Sequence, residues 1–209
     1  MKQAEGPMLD IGQLLEAYST GYFPMAEGSG PDAEIGYYSA WKRGIIPLDG
    51  FHMPKRALRH FKKSGFSMSL NQHFEGVLEG CANRPSTWIN PVIHRTFLYL
   101  HYSGYAHSVE VLREGRLVGG LYGLALGGAF FAESVFQYEP EAHKAALWFC
   151  HGHLLNRGFS LWDAQYYTPH LGQFGCREIP AKRYDVLLQK ALKLAVTFSD
   201  HGNPGKPTH

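Results

Sequence analysis

A chain of 209 residues can hold one domain, or one and a small extension, around a sizeable core. With 20 Lys and Arg against 18 Asp and Glu its net charge is only +2, so bulk charge points to no particular partner. No basic-then-apolar leader opens it and no apolar run approaches a membrane span. Cys81, Cys150 and Cys176 form no CxxC pair, and the 12 histidines form no HExxH, so free thiols in a reducing cytosol and no bound metal are expected.

In chain order, a first helix is expected from a cap at Asp10 through Leu14, Leu15 and Tyr18 to Gly21. A long stretch rich in Gly, Pro and aromatics comes next, holding Tyr22, Phe23, Met25, Tyr37, Tyr38 and Trp41. It reads as a loop that covers core or binds something. Between Lys42 and Lys63 the balance tips: Lys42, Arg43, Lys55, Arg56, Arg59, Lys62 and Lys63 face only Asp49, which suits an anionic partner. Pro54 at N1 opens a short basic helix that ends before Gly65. Asn71 caps a helix with Phe74, Val77, Leu78 and Cys81 at helical spacing, and another runs from Val92 to Ser103 and stops at Gly104. From Ala106 alternating residues and turns at Glu114-Gly115 and Gly127-Gly128 predict a three-stranded meander. A helix opening at Pro140, with Leu147, Cys150, Leu154 and Leu155 in one stripe, closes at Gly158. A strand from Phe159 to Tyr167, a connection and a helix from Pro180 to about Val196 complete the order, with a disordered tail from Ser199.

The pattern predicts an α+β protein. A small basic helical N-terminal domain (1–104) precedes a mixed sheet of the N-acetyltransferase type (105–198), with a ligand cleft between them. Two carboxylates stand in apolar strands. Asp163 and Gln165 share one face by period-two geometry, close enough to hydrogen-bond; a catalytic pair and a structural or solvent-facing pair fit equally well. Glu133 shares its face with Phe131 and Val135, as an acid at the mouth of an apolar pocket or as the partner of a basic residue. The acetyltransferases of this fold cradle the CoA pyrophosphate on a Gly-rich loop at a helix N-terminus. The corresponding QYEPEAHK has no glycine and two glutamates, which argues against CoA and leaves no cofactor expected.

The blocks GYFPM, KRGIIPLDGFH, TWI, AHSVEV, GRLVGGLYG, FFAESVF, DAQ and PHLGQFG, running in order from about Leu9 to about Leu188, resemble leucyl/phenylalanyl-tRNA–protein transferases. The resemblance implies an enzyme moving Leu, Phe or Met from aminoacyl-tRNA to the α-amine of proteins that start with Arg or Lys, in the N-end rule of protein degradation. It implies a catalytic pair Asp163 and Gln165 with Glu133 as a further active-site acid. Trp88 and Tyr18, with Met25 and Phe97 at positions where other aromatics are usual, would hold the terminal adenosine. Leu121, Phe130 and Val135 would line the pocket for the transferred side chain. Val135 and Leu121 stand where methionines are common, so a related transferase with shifted donor or acceptor preference is one alternative; a CoA-dependent acetyltransferase and a non-catalytic RNA-binding module are others.

In the mechanism this implies, the ester is already activated and needs no metal, nucleotide or covalent nucleophile. Asp163 orients Gln165, whose carbonyl accepts a hydrogen bond from the attacking amine, and Glu133 holds the acceptor's cationic side chain or its amine. Lys55, Arg56, Arg59, Lys62 and Lys63 would contact tRNA phosphates without reading sequence. A monomer is expected.

Overall fold

The computed structural model describes residues 6–28, 30 and 33–200. The meander forms as the sequence predicts: β5 (Ala106–Arg113), β6 (Arg116–Leu126) and β7 (Ala129–Gln137) pair antiparallel. The first turn places both Glu114 and Gly115 at positive φ (51° and 76°), the backbone twist that a two-residue hairpin requires. These strands sit inside a seven-stranded sheet of order β4-β5-β6-β7-β8-β3-β9. The additions are β3 (Lys42–Ile45), β4 (Phe66–Leu70), β8 (Leu161–Gln165) and β9 (Arg177–Pro180).

Three of those strands depart from the expectations. The segment read as an aromatic loop folds into a two-stranded hairpin, β1 (Phe23–Ala26) with β2 (Ile35–Tyr38), and then enters the main sheet as β3 between β8 and β9. Residues 66–70 pair with β5 as an edge strand, and the connection before the last helix supplies β9. Each is four or five residues long, too short for a period to register, and each is held by its neighbours in the sheet rather than by its own pattern. Consequently the boundary expected near Gly104 falls inside one packed unit, since strands from both sides of it share the sheet.

Helices cover both faces. On one lie α1 (Ile11–Ser19), α3 (Phe74–Ala82), α4 (Pro91–Tyr102) and α7 (Ala181–Ala191), over a core that includes Leu14, Val77, Phe97, Tyr122, Phe131 and Leu188. On the other lie α2 (Lys55–Ser64) and α5 (Ala142–Arg157), over Ala57, Leu121, Phe130, Leu147, Cys150 and Trp162. Caps explain several boundaries. The Asp10 carboxylate accepts from the Gln13 N–H at 2.8 Å, Asn90 caps α4 through the Ile93 N–H, and Gly65 and Gly158 end α2 and α5 in the left-handed region. Asn71 does not cap α3. At φ 59° it turns its side chain to β5, accepting from the Ser108 N–H and meeting His107. The last helix ends at Ala191 rather than near Val196, and the chain runs back beneath the sheet so that Phe198 is fully buried, 5.2 Å from the Phe130 ring. Most of the tail expected from Ser199 lies outside the described residues.

Two irregularities position the site. β7 and β8 are the parallel pair, and they bond only from Ala129↔Leu161 to Phe131↔Asp163 before parting. Just beyond that point β7 carries a bulge. Tyr122 pairs with Ser134 and Gly123 with Ala132, leaving Glu133 as the extra residue. The bulge reverses the facing of the residues beyond it, so Phe131 packs in the first core and Val135 against the second, and the expectation that they share a face is corrected.

Gly44 allows β3 to approach β8. A Cβ there would lie 2.6 Å from the carbonyl carbon of Tyr166 and 2.7 Å from the Tyr167 nitrogen, both backbone atoms that cannot swing away. Gly44→Ala is expected to destabilise the protein by about 1–3 kcal/mol, read as a lower urea midpoint with unchanged slope; an unaltered midpoint would show that the two strands are not this tightly apposed.

Candidate active site

Asp163 is fully buried at the last β7–β8 pair. An isolated carboxylate there would be untenable, and Arg43 of β3, 1% exposed, answers it. The Arg43 Nε lies 2.9 and 3.1 Å from the two carboxylate oxygens and Nη2 2.6 Å from Oδ2, a two-pronged geometry only guanidinium supplies. Its remaining nitrogen donates to the Gly21 carbonyl at 2.8 Å, and the rings of Phe23 and Tyr184 sandwich it at 4.7 and 4.6 Å. Tyr184 of α7 also donates its hydroxyl to Asp163 Oδ2 at 2.5 Å. Arg43 therefore drops out of the exposed basic run to which its sequence position assigns it: its charge is neutralised inside the protein.

Gln165 closes β8 with φ 58°, uncommon for a non-glycine residue. Asp163 holds it there, accepting the Gln165 backbone N–H at 2.7 Å. The expected side-chain bond between the two is not made. Instead the Gln165 amide nitrogen donates to Glu133 Oε1 at 3.0 Å, and its carbonyl oxygen has no protein partner among the described residues. The Asp–Gln coupling is thus through backbone, and the carboxylate that fixes the amide is Glu133.

Glu133, 8% exposed, also accepts the Tyr18 hydroxyl at 2.7 Å on the same oxygen. No cation pairs with it among the described residues, so it is not the partner of a basic group. Burial pushes its carboxyl up to about 8, with the Asp163 charge adding to the rise and the Tyr18 bond, the Arg43 charge and the Gln165 bond opposing it. Burial, and then Glu133 itself, raise the Tyr18 phenol well above its ordinary range, so Tyr18 remains a donor.

The other expected residues divide. Tyr18 is fully buried with its ring edge-on to Phe131 at 5.1 Å, and has no open face for an adenine. Phe97 is likewise sealed in the core against Tyr122. Trp88 and Met25 stay partly exposed on the same side of the sheet, against the first core. Leu121 and Val135 are cross-strand partners facing the second core, where Phe130 joins them. Lys55, Arg56, Arg59, Lys62 and Lys63 lie on the outer side of α2, whose Ala57 faces inward. Sequence reasoning missed Arg43 as a site residue, and Tyr184 altogether. The available signal was that Asp163 needed a cation, but nothing in the order of residues says which one.

The sign of the Glu133 shift makes it testable. Between its unfolded value near 4.3 and its folded value near 8 the folded state holds a proton that the unfolded state has lost, so stability falls as pH rises through that window. Glu133→Gln keeps an acceptor for Tyr18 and removes the titration. Its Tm should draw level with or exceed that of the parent increasingly from about pH 5 to about pH 8, as read by thermal unfolding; a constant Tm difference would mean Glu133 is ionised throughout.

Comparisons with known proteins converge. A family model described as leucyl/phenylalanyl-tRNA protein transferase matches residues 45–189, and the model of its N-terminal domain matches residues 8–40. A leucyl/phenylalanyl-tRNA--protein transferase of Ruegeria pomeroyi is 44% identical over 190 residues, covering 89% of this chain and 88% of its own. One from Cereibacter sphaeroides is 43% identical over 201 residues, covering 96% and 94%. Among solved structures, L-PGS from Bacillus licheniformis aligns over 88% of this chain and 70% of its own at TM-score 0.45 and 11% identity. The chain has an α+β fold, belongs to the leucyl/phenylalanyl-tRNA protein transferase family and is an aminoacyltransferase.

Proposed function

We propose that this chain transfers leucine, phenylalanine or methionine from charged tRNA to the α-amine of proteins that begin with Arg or Lys, as a monomer, in the N-end rule of the cytoplasm. The observation that carries the mechanism is the Glu133–Gln165 bond at the point where β7 and β8 part. With its nitrogen committed to Glu133, the Gln165 amide presents its carbonyl oxygen to the N–H of the incoming amine. The amine nitrogen attacks the ester carbonyl, the new C–N bond forms as the bond to the ribose 3′ oxygen breaks, and the leaving oxygen ends protonated. The amine must lose a proton on the way. Glu133, raised to about 8 by burial, is matched to an α-amine of roughly 7.7–8.0, so its carboxylate form accepts that proton with little mismatch. Asp163, neutralised by Arg43, positions Gln165 without touching the reacting atoms.

Met25 and Trp88 remain as the surfaces for the terminal adenosine and Val135 as an apolar surface beside the transferred side chain, with Leu121 and Phe130 packed in the core behind it. The acetyltransferase alternative is opposed by the connection from β7 to α5. It carries Glu139 and Glu141 where a pyrophosphate would need free amides, and Glu141, at φ 70°, precedes the helix. On α2, Lys55 and Arg56 occupy the first helical turn, where the dipole disfavours cations, so an anion docking there relieves a local conflict.

Two measurements test this. The acid limb of log kcat/KM against pH, for transfer from Leu-tRNA to an Arg-initiated peptide, should have a slope of about 2, falling to about 1 in Glu133→Gln; identical slopes would reject Glu133 as proton acceptor. Neutralising Arg56, Arg59, Lys62 and Lys63 together should flatten the salt dependence of tRNA binding by roughly 3–4 in log–log slope. An unchanged slope would remove α2 from the interface.

A further inference from the structure

Beside the end of β7, past its bulge, lies a hollow of about 400 Å³. Val135, Gln137 and Tyr138 of β7 and its end line it, with Arg84 from beyond α3, His143 of α5 and His170 of α6 (Pro169–Gly172). Its chemistry is that of an anion site. Arg84 bonds only to neutral oxygens, the Ser134 hydroxyl at 3.1 Å and the Val135 carbonyl, and forms no ion pair among the described residues. The two imidazoles face each other with centroids 4.9 Å apart. His143 meets Gln137 through Nδ1, while its Nε2 is buried without a partner. Burial, then His170 and Lys144, pull His143 down to about 4, with Glu141 acting the other way. Glu141 is itself paired to Lys144 at 2.9 Å, so neither supplies net charge to the hollow.

We propose that this hollow holds the 5′-phosphate of the terminal adenosine of the donor tRNA, with Arg84 and His170 as its ligands. The proposal rests on the transferase reading above and names a contact within it. Position selects this occupant. Val135 lies two residues beyond Glu133, about 6.6 Å along a strand, comparable to the reach from a nucleotide's 5′-phosphate to an acyl group on its ribose. Trp88, assigned to the adenosine, stands one short loop beyond Arg84. α2, with its exposed cations, packs on α5 through Phe61 and Trp148 at 6.0 Å, one turn beyond Lys144, so a phosphate path continues outward from the hollow. An acceptor peptide beginning with Arg or Lys would meet repulsion from Arg84. An arriving phosphate instead accepts from Arg84, which otherwise bonds only neutral oxygens.

The test compares two small donors, 3′-O-leucyl-adenosine and the same ester carrying a 5′-phosphate, each transferred to an Arg-initiated peptide. The parent enzyme should show a lower KM for the phosphorylated donor. Arg84→Gln and His170→Ala, on different elements, should each shrink that kcat/KM advantage by about ten-fold or more. Because the readout is a ratio within one preparation, loss of folded fraction cancels. A phosphate advantage that survives both substitutions, or none in the parent, overturns the assignment. No transfer from either donor or from Leu-tRNA would instead take down the transferase reading, and this inference with it.

Discussion

The site depends on one buried ion pair. Arg43 and Asp163 are both essentially inaccessible, and their charges are tolerated because the guanidinium meets both carboxylate oxygens and each partner makes further hydrogen bonds. The pair does more than neutralise itself. Through it β3 is joined to β8, the Gly21 carbonyl ties in the turn after α1, and Tyr184 brings α7 to the same carboxylate. The remaining Asp163 capacity takes the Gln165 N–H and holds that residue in a conformation its own side chain disfavours. A buried ion pair is weak evidence of stability, but this one fixes the direction in which the end of β8 points.

The complementary constraint is the opening between β7 and β8. Parallel strands that stayed paired would bury Glu133 and Gln165 in a continuous ladder with no room for a substrate. Pairing stops after Phe131↔Asp163, and the bulge at Glu133 turns that side chain toward Tyr18 at the level where space opens. The carboxyl is thus desolvated, bonded by donors that cannot replace a full counter-charge, and left to titrate near neutrality. Asp163, on the neighbouring strand, is answered by guanidinium. The two carboxylates serve different ends because Arg43 bonds directly to one and not to the other.

Several features were readable in the order of residues. The meander, its glycine turns and the helix after it carry their own periodicity, and the cap at Asp10 is local chemistry. The importance of Asp163, Gln165 and Glu133 was visible because a carboxylate in an apolar strand needs a partner or a task. Their wiring was not. Period two placed Asp163 and Gln165 together, yet the positive φ of Gln165 sends its amide to Glu133, and a one-residue bulge separates Phe131 from Val135. Tyr18 and Phe97 were assigned to the adenosine by resemblance, which does not say whether a ring's faces are covered in this fold.

Sequence by itself therefore determined the elements whose signals are local, the family to which the chain belongs, and the residue types available for chemistry, since these arise from short-range pattern and side-chain identity. Tertiary structure decided that Arg43, 120 residues away, neutralises Asp163, that Tyr18 and Glu133 meet across 115 residues, and where two strands part. Electrostatic balance and burial are sums over neighbours brought together by packing, and no window of sequence contains them.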